Sequence, residues 1–308
     1  MAGYSDRAMR VISSRLGAEL SVTEMVSAKA VTFEDKKTFG LARIKSDEGN
    51  VSLQIFGSEP DTMARAAAAL ECGYSAEGYV PPVAIDINMG CPVNKIFSNG
   101  EGSALMKDPD LIYRITKSVK DNISIPVTVK IRAGVDEKHI NAVECALAAE
   151  SAGAALVTVH GRTRTMLYSG IADREIIRNV KNSLHIPVVA NGDVTDVESA
   201  LSMLSETGAD GIMIGRGAVG NPYLFSEIKA ALEGREYSLP TLDERKETSL
   251  LQLRLAIEDK GERIAVPEAR KQIAVYFKGF RGSAALRARI NAAVTYEEVA
   301  SALGEITD

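Results

Sequence analysis

The stretch Ala84-Ile85-Asp86-Ile87-Asn88-Met89-Gly90-Cys91-Pro92 sets the reading of the chain. A short β-branched run, residues 84–88, ends in polar and turn-forming residues, with a cysteine held between Gly90 and Pro92. Similar runs recur at 18–23, 51–56, 127–131, 156–160, 188–190 and 211–214. Each is bounded by Gly, Pro or polar residues, as buried parallel strands are. Helical patterns at 61–72, 108–119, 140–152, 174–181 and 197–206 lie between them. A strand–helix unit of about thirty residues is the mark of a parallel α/β protein.

Polar or glycine-rich residues follow nearly every run: Glu24, Gly57, Asn88 to Cys91, Lys130 and Arg132, His160-Gly161-Arg162, Asn191-Gly192-Asp193, and Gly215-Arg216. Groups just past the strand C-termini build the active site of a (β/α)₈ barrel. The pattern therefore predicts a TIM barrel short of one strand. A doubly wound sheet is the alternative, but it has no need of functional groups after every strand. From about Pro240 the strand signals stop, and 242–258 and 267–280 read as amphipathic helices. The expected division is a barrel over 1–238 and a small helical domain over 239–308.

The chain has 308 residues, 45% hydrophobic and 25% charged, the proportions of an ordinary globular protein. No apolar run reaches the ~18 residues that a membrane span needs. Cys72, Cys91 and Cys145 form no CxxC pair, which argues against disulfides and structural zinc and suits a reducing, cytoplasmic setting. Net charge is −5, yet Arg263, Arg270, Lys271, Lys278, Arg281, Arg287 and Arg289 are opposed locally by Glu268 alone. A basic segment on an acidic body points either to an anionic partner or to a solvated helix face.

Candidate site residues follow from position and type. Asn191-Gly192-Asp193 and Gly215-Arg216-Gly217 are late turns, where barrels bind phosphate through backbone N–H groups. Lys130 interrupts an apolar strand, so it meets either an anion or a barrel carboxylate. His160 precedes Gly161-Arg162-Thr163-Arg164, and that company favours an anionic ligand. Gln54 lies midway along an apolar strand, where its amide needs partners and can serve a flavin ring. Cys91 faces the barrel mouth, whereas Cys72 and Cys145 fall within helical patterns. A thiol is mostly protonated at neutral pH and can donate a proton; the other option, a nucleophile, lacks an activating histidine nearby in sequence.

Together these residues resemble the tRNA-dihydrouridine synthases, most closely the bacterial B-type branch. The matching stretches are Met1–Asp6, 54–57, 86–92, 102–105, 127–132, 160–164, 191–193, 211–225 and 270–291, so the likeness spans nearly the whole chain. The resemblance implies a barrel that holds FMN above its strand C-termini and a helical domain that grips tRNA. Met1, Ala2, Gln54, Lys130 and His160 then touch the flavin ring, and Asn191, Gly192, Asp193, Gly215 and Arg216 hold its phosphate. Cys91 protonates carbon 5 of uracil while hydride reaches carbon 6, Asn88 helps position the flipped-out base, and NADPH reduces the flavin. The enzyme is expected to be a monomer without a metal.

Three departures stand out. The family has a hydrophobic strand before its Met-Ala-Gly turn, so the barrel is expected to lack its first strand, leaving edges exposed and the FMN site weakened. The 73–82 connection is longer than the family's. Arg174 and Tyr223 stand where family members often carry tryptophan, and this chain has none. Two rivals share part of the pattern: an FMN barrel acting on a free pyrimidine, like the dihydroorotate dehydrogenases, and a tRNA-binding chaperone without catalysis. The basic tail separates the first from the tRNA reading, and bound FMN with a Cys91-dependent activity separates the second.

Overall fold

The computed structural model describes residues 1–72 and 78–307, with Lys36 and Lys37 described by their backbone alone. Half of the long 73–82 connection, residues 73–77, therefore lies outside the described residues. Where the chain resumes, Tyr79 makes an antiparallel bridge to Lys45.

The strands are β1 (Ser21–Val22), β2 (Val26–Ser27), β3 (Val51–Phe56), β4 (Ala84–Asn88), β5 (Val127–Arg132), β6 (Leu156–His160), β7 (Val188–Asn191) and β8 (Gly211–Met213). Neighbours run parallel in the order β1-β3-β4-β5-β6-β7-β8, with β2 also on β3. A doubly wound sheet reverses its order at a switch point. This one follows chain order throughout, which is the order of a barrel. Six of the seven expected strands match within a residue: 127–131 and 188–190 run one residue longer and 211–214 ends one residue early.

The expected strand at 18–23 needs correction. Its path is broken: Val22 pairs with Ser52, but Val26 pairs with Ile55, so one extra residue is looped out. At the break Thr23 N donates to Ser52 O at 3.0 Å, and Thr23 Oγ1 accepts from the N–H of Gln54 at 3.0 Å. β2 escapes sequence reading because two residues entering a helix carry no period. Among the described residues no strand joins β8 to β1. The barrel is open there, and both flanking strands are only half-buried.

Alternation explains the layers. Leu53, Ile55, Ile85, Ile87, Val127, Val129, Ile131, Val157 and Val159 are fully buried against Met63, Ala66, Ile112, Ile115 and Cys145 of the outer helices. The alternate residues are polar. Gln54, Asp86 and Thr128 share one register across β3, β4 and β5, while Asn88, Lys130 and Thr158 share the next. Arg132, His160 and Asn191 make the last, at the strand C-termini. The barrel interior is thus hydrogen-bonded near its mouth.

After helix Leu224–Leu232 the chain is helical: Leu242–Lys260, Glu262–Ile273, Ser283–Ala292 and Tyr296–Gly304. The helix expected at 267–280 starts earlier, with Pro267 inside it, and ends in a 3₁₀ turn at Ala274–Phe277. These helices enclose a core around Leu253, Val266, Ile273, Phe277, Ile290 and Leu303. They dock on helix Arg7–Arg15, which sequence reading missed, through Leu255, Ala256 and Ala265 against Ala8, Val11 and Ile12. Ion pairs Lys260–Asp6 at 2.7 Å and Arg7–Asp259 at 3.3 Å border that contact. No helix among the described residues is long and apolar enough to cross a membrane.

Candidate active site

Cys91 sits on a loop held from three sides. Asn88 Oδ1 accepts from the N–H groups of Gly90 and Cys91 at 3.2 and 2.8 Å. Arg132 Nε donates to Gly90 O at 2.8 Å, and Ser103 Oγ donates to Cys91 O at 2.7 Å. Gly102, at φ 60°, packs so closely that a Cβ there would lie 2.9 Å from Cys91 Cβ. The thiol is buried, and burial pushes its pKa up, against the opposing pull of the Val93 N–H and the Arg132 charge. A nucleophilic cysteine needs the opposite shift. The surroundings of Cys91 thus disfavour its thiolate.

Lys130 is half-buried, and its Nζ donates to Asn191 Oδ1 at 2.8 Å. It forms no ion pair among the described residues. Burial and Arg132 bring its pKa down from 10.5 to about 8, with Asp86 pulling the other way. His160 is buried beside four cations. Burial first, then Lys130, Arg132, Arg162 and Arg216, drive its pKa to about 2, so the ring is neutral. Its Nε2 lies 3.4 Å from Arg162 Nη1, a contact that requires the nitrogen to accept.

The late turns come together. Gly192 at φ 134° and Asp193 at φ 51° follow β7. Gly217 has no room for a side chain, since its Cβ would stand 2.2 Å from Val194 O; the two turns are packed backbone to backbone. Around Gly215 there is space, the nearest atom to its absent Cβ being Met1 Sδ at 3.6 Å. The N–H groups of Gly192, Asp193 and Gly215 meet no acceptor among the described residues. Arg216 is exposed, lies 3.6 Å from Asp193 and stacks over the Tyr168 ring at 4.8 Å. Met1 therefore borders this group, while Ala2 is exposed beside it.

Some residues are spent differently from the sequence reading. The arginines after His160 do not face an open site. Fully buried Arg162 donates to Asp193 Oδ2 at 2.7 Å and to the carbonyls of Ser169 and Gly170 at 2.9 and 2.6 Å. Arg164 stacks 3.7 Å over Phe97 and donates to Asn94. The Asp193 carboxylate accepts from the Ala172 N–H at 2.9 Å, so it braces the turn. Both ends of the Gln54 amide are engaged, to Asp86 at 2.7 Å and Asn88 at 2.8 Å. Among the described residues Asn88 Nδ2 has Gln54 Oε1 as its one acceptor, which leaves its second N–H unpaired. Arg132 was named from sequence only as a strand-end residue and Asp86 only within the 86–92 stretch, and neither was given a role, although each carries the mark that drew attention to Lys130, a charge within an apolar strand.

The basic segment reaches the mouth. Lys271 Nζ lies 4.6 Å over the Tyr4 ring, next to Met1 to Gly3. Arg263, Lys271, Lys278, Arg281 and Arg287 are exposed and form no ion pair among the described residues. Arg270 is fixed by Ala293 O, and Arg289 pairs with Glu305.

A parallel sheet in barrel order, with a thiol and several cations gathered at the strand C-termini, defines a barrel enzyme. A family model described as "Dihydrouridine synthase (Dus)" matches residues 1–307. The chain is 41% identical to a probable tRNA-dihydrouridine synthase of Rickettsia conorii, over 94% of this chain and 86% of that protein. It is 37% identical to tRNA-dihydrouridine synthase B of Pasteurella multocida, over 98% and 90% respectively. The chain belongs to the dihydrouridine synthase family. Among solved structures, histamine dehydrogenase from Rhizobium sp. 4-9 matches with a TM-score of 0.53 at 14% identity. That match covers 87% of this chain but just 47% of the other, and it bears on the fold alone.

Proposed function

We propose that this chain reduces uridine to 5,6-dihydrouridine in tRNA, with FMN as resident cofactor and NADPH as reductant. Residues 1–238 serve as the cofactor-holding barrel and 239–308 as the tRNA-gripping domain. The observation that carries this reading is a buried thiol placed at the same mouth as a half-buried lysine that forms no ion pair among the described residues.

The residues present fit FMN. Unpaired N–H groups at Gly192, Asp193 and Gly215, with Arg216 beside them, suit a phosphate. Lys130 suits the electron-rich edge of a flavin ring, with Gln54, neutral His160, Met1 and Ala2 as its neighbours and Asn191 orienting the lysine. When bound and reduced, the cofactor supplies hydride for uracil carbon 6. Cys91 delivers its proton to carbon 5, and the thiolate left behind is favoured by the Val93 N–H and Arg132. Asn88 offers its spare N–H to a uracil carbonyl while its oxygen holds the Cys91 loop. Saturating the ring requires the base to leave its stack, and the exposed cations beside the mouth suit the RNA backbone.

A dehydrogenase running the reverse reaction on a free pyrimidine needs a base, and a thiol with a raised pKa is a poor one. The test is to map dihydrouridine in tRNA from cells with and without the gene, and to supply purified protein with FMN, NADPH and unmodified tRNA. Formation of dihydrouridine by wild type and not by Cys91→Ala is expected. Unchanged tRNA in the deletion strain, together with no product in vitro, would overturn the proposal.

A further inference from the structure

Asp86 lies below the mouth, fully covered, and touches neither the thiol nor any group assigned to uracil. Its Oδ1 accepts from Thr128 Oγ1 at 2.6 Å and its Oδ2 from Gln54 Nε2 at 2.7 Å. Gln54 Oε1 accepts from Asn88 Nδ2 at 2.8 Å, and Asn88 Oδ1 accepts from the N–H groups of Gly90 and Cys91. The chain of bonds thus runs from a carboxylate through two amides to the backbone of the thiol loop.

Each amide could be placed either way round, since its oxygen and nitrogen ends have nearly the same shape. The ends of the chain remove that freedom. A carboxylate accepts only, so Gln54 must turn its NH₂ to Asp86 and its oxygen to Asn88. Asn88 must then give its NH₂ to Gln54, which leaves its oxygen for the loop. If Gln54 turned over, its nitrogen would face that of Asn88, and Asn88 would turn in response, presenting NH₂ to two N–H donors. We propose that Asp86 is a positioning residue that fixes the polarity of the Gln54–Asn88 relay and so holds the Cys91 loop in place. This rests on the reading of Cys91 as the acid, but the hold on the loop can be measured without it.

The test compares Asp86→Leu, Asp86→Asn and Gln54→Glu in the flavin-loaded protein. Three readouts are taken: the alkylation rate of Cys91 by iodoacetamide, followed by mass spectrometry; kcat and KM for tRNA; and thermal melting with flavin content. Leucine offers no acceptor, and Gln54→Glu sets a second acceptor against Asp86. Both should raise Cys91 alkylation and lower kcat by about tenfold, the effect of one lost buried hydrogen bond, with little change in KM. Asp86→Asn can still turn its oxygen to Gln54 and its NH₂ to Thr128, so it should restore both readouts to within about threefold of wild type.

Wild-type alkylation and kcat in folded Asp86→Leu would overturn the proposal. So would an Asp86→Asn protein that melts normally but behaves like Asp86→Leu, because then charge and not polarity matters. If Asp86→Leu fails to fold, Gln54→Glu decides in its place: wild-type alkylation there is equally fatal. Full activity in Cys91→Ala would remove the acid role while leaving the alkylation result standing.

Discussion

Replacing Lys130 by methionine should stabilise the cofactor-free protein while weakening its hold on flavin. Methionine matches the lysine stem and removes the charge. The descent of the lysine pKa from 10.5 to about 8 corresponds to a cost of about 3 kcal/mol for keeping the ammonium there at pH 7, an upper value because the residue keeps some solvent access. Against this, Asn191 Oδ1 loses its 2.8 Å bond, worth about 1 kcal/mol. The net gain at pH 7 is about 1–2 kcal/mol. The sign changes with pH. Between about 8 and 10.5 the unfolded lysine still binds a proton that the folded one has released, so wild type gains stability through that window. Methionine gains nothing there, and above 10.5 the variant should be the less stable by about 1 kcal/mol. Urea unfolding of flavin-free wild type and variant at pH 7 and pH 10.5 gives the difference, in which the titration of other groups cancels. Fluorescence titration with FMN should show affinity reduced about tenfold to a hundredfold, the loss of one charge-assisted hydrogen bond. A variant less stable at pH 7, a difference that does not move with pH, or unchanged flavin affinity would refute this account of Lys130.

Cys91→Ala should lose roughly 10²- to 10⁴-fold in kcat with flavin content intact, as measured by dihydrouridine formation in tRNA and absorbance near the flavin bands. Gly217→Ala puts a Cβ 2.2 Å from Val194 O, so the two phosphate turns must part; flavin should be lost on gel filtration while melting falls by a few degrees at most. Arg162→Leu strips Asp193 and two carbonyls of their donor inside the protein, and unfolding should be easier by about 3 kcal/mol in urea. Reversing the charge of exposed Lys278, Arg281 and Arg287 together should raise KM for tRNA and flatten its dependence on salt, with kcat little changed.

What sequence could reveal depended on whether a local rule governed it. Val127, Val129 and Ile131 read as strand because a residue facing the outer helices must be apolar, and the residues after each strand read as functional because a barrel gathers them at one mouth. The break at Thr23, the helix Arg7–Arg15 and the buried employment of Arg162 are set by partners distant in sequence. Thr23 answers to Gln54, helix 7–15 to residues 255–265, and Arg162 to Asp193. Periodicity holds no record of such pairings. The same limit applies to Gln54 and Asn88: their positions were legible, but the direction of their amides depends on their contact with Asp86, a pairing across strands that the sequence does not record.

The distribution of charge across the mouth ties these particulars to function. Lys130, Arg132, Arg162 and Arg216 surround His160, and the carboxylates of Asp86 and Asp193 are each engaged in hydrogen bonds. Burial first and this positive field second hold the imidazole in its neutral form, while the guanidiniums keep their charge. The positive charge therefore rests mainly on side chains that keep it throughout the physiological range, with Lys130 the one member close to release. An anion bound there gains the same attraction at pH 6 as at pH 7, and binding such an anion should draw the lysine pKa back up. The thiol meets the opposite balance: shielded from solvent, with only Arg132 and the Val93 N–H favouring its anion, it keeps its proton until a stronger base, such as a carbanion-like carbon 5, takes it. On the proposed function, one mouth would hold an anion by charge and store a proton by burial, and the reduction of a carbon–carbon double bond needs both.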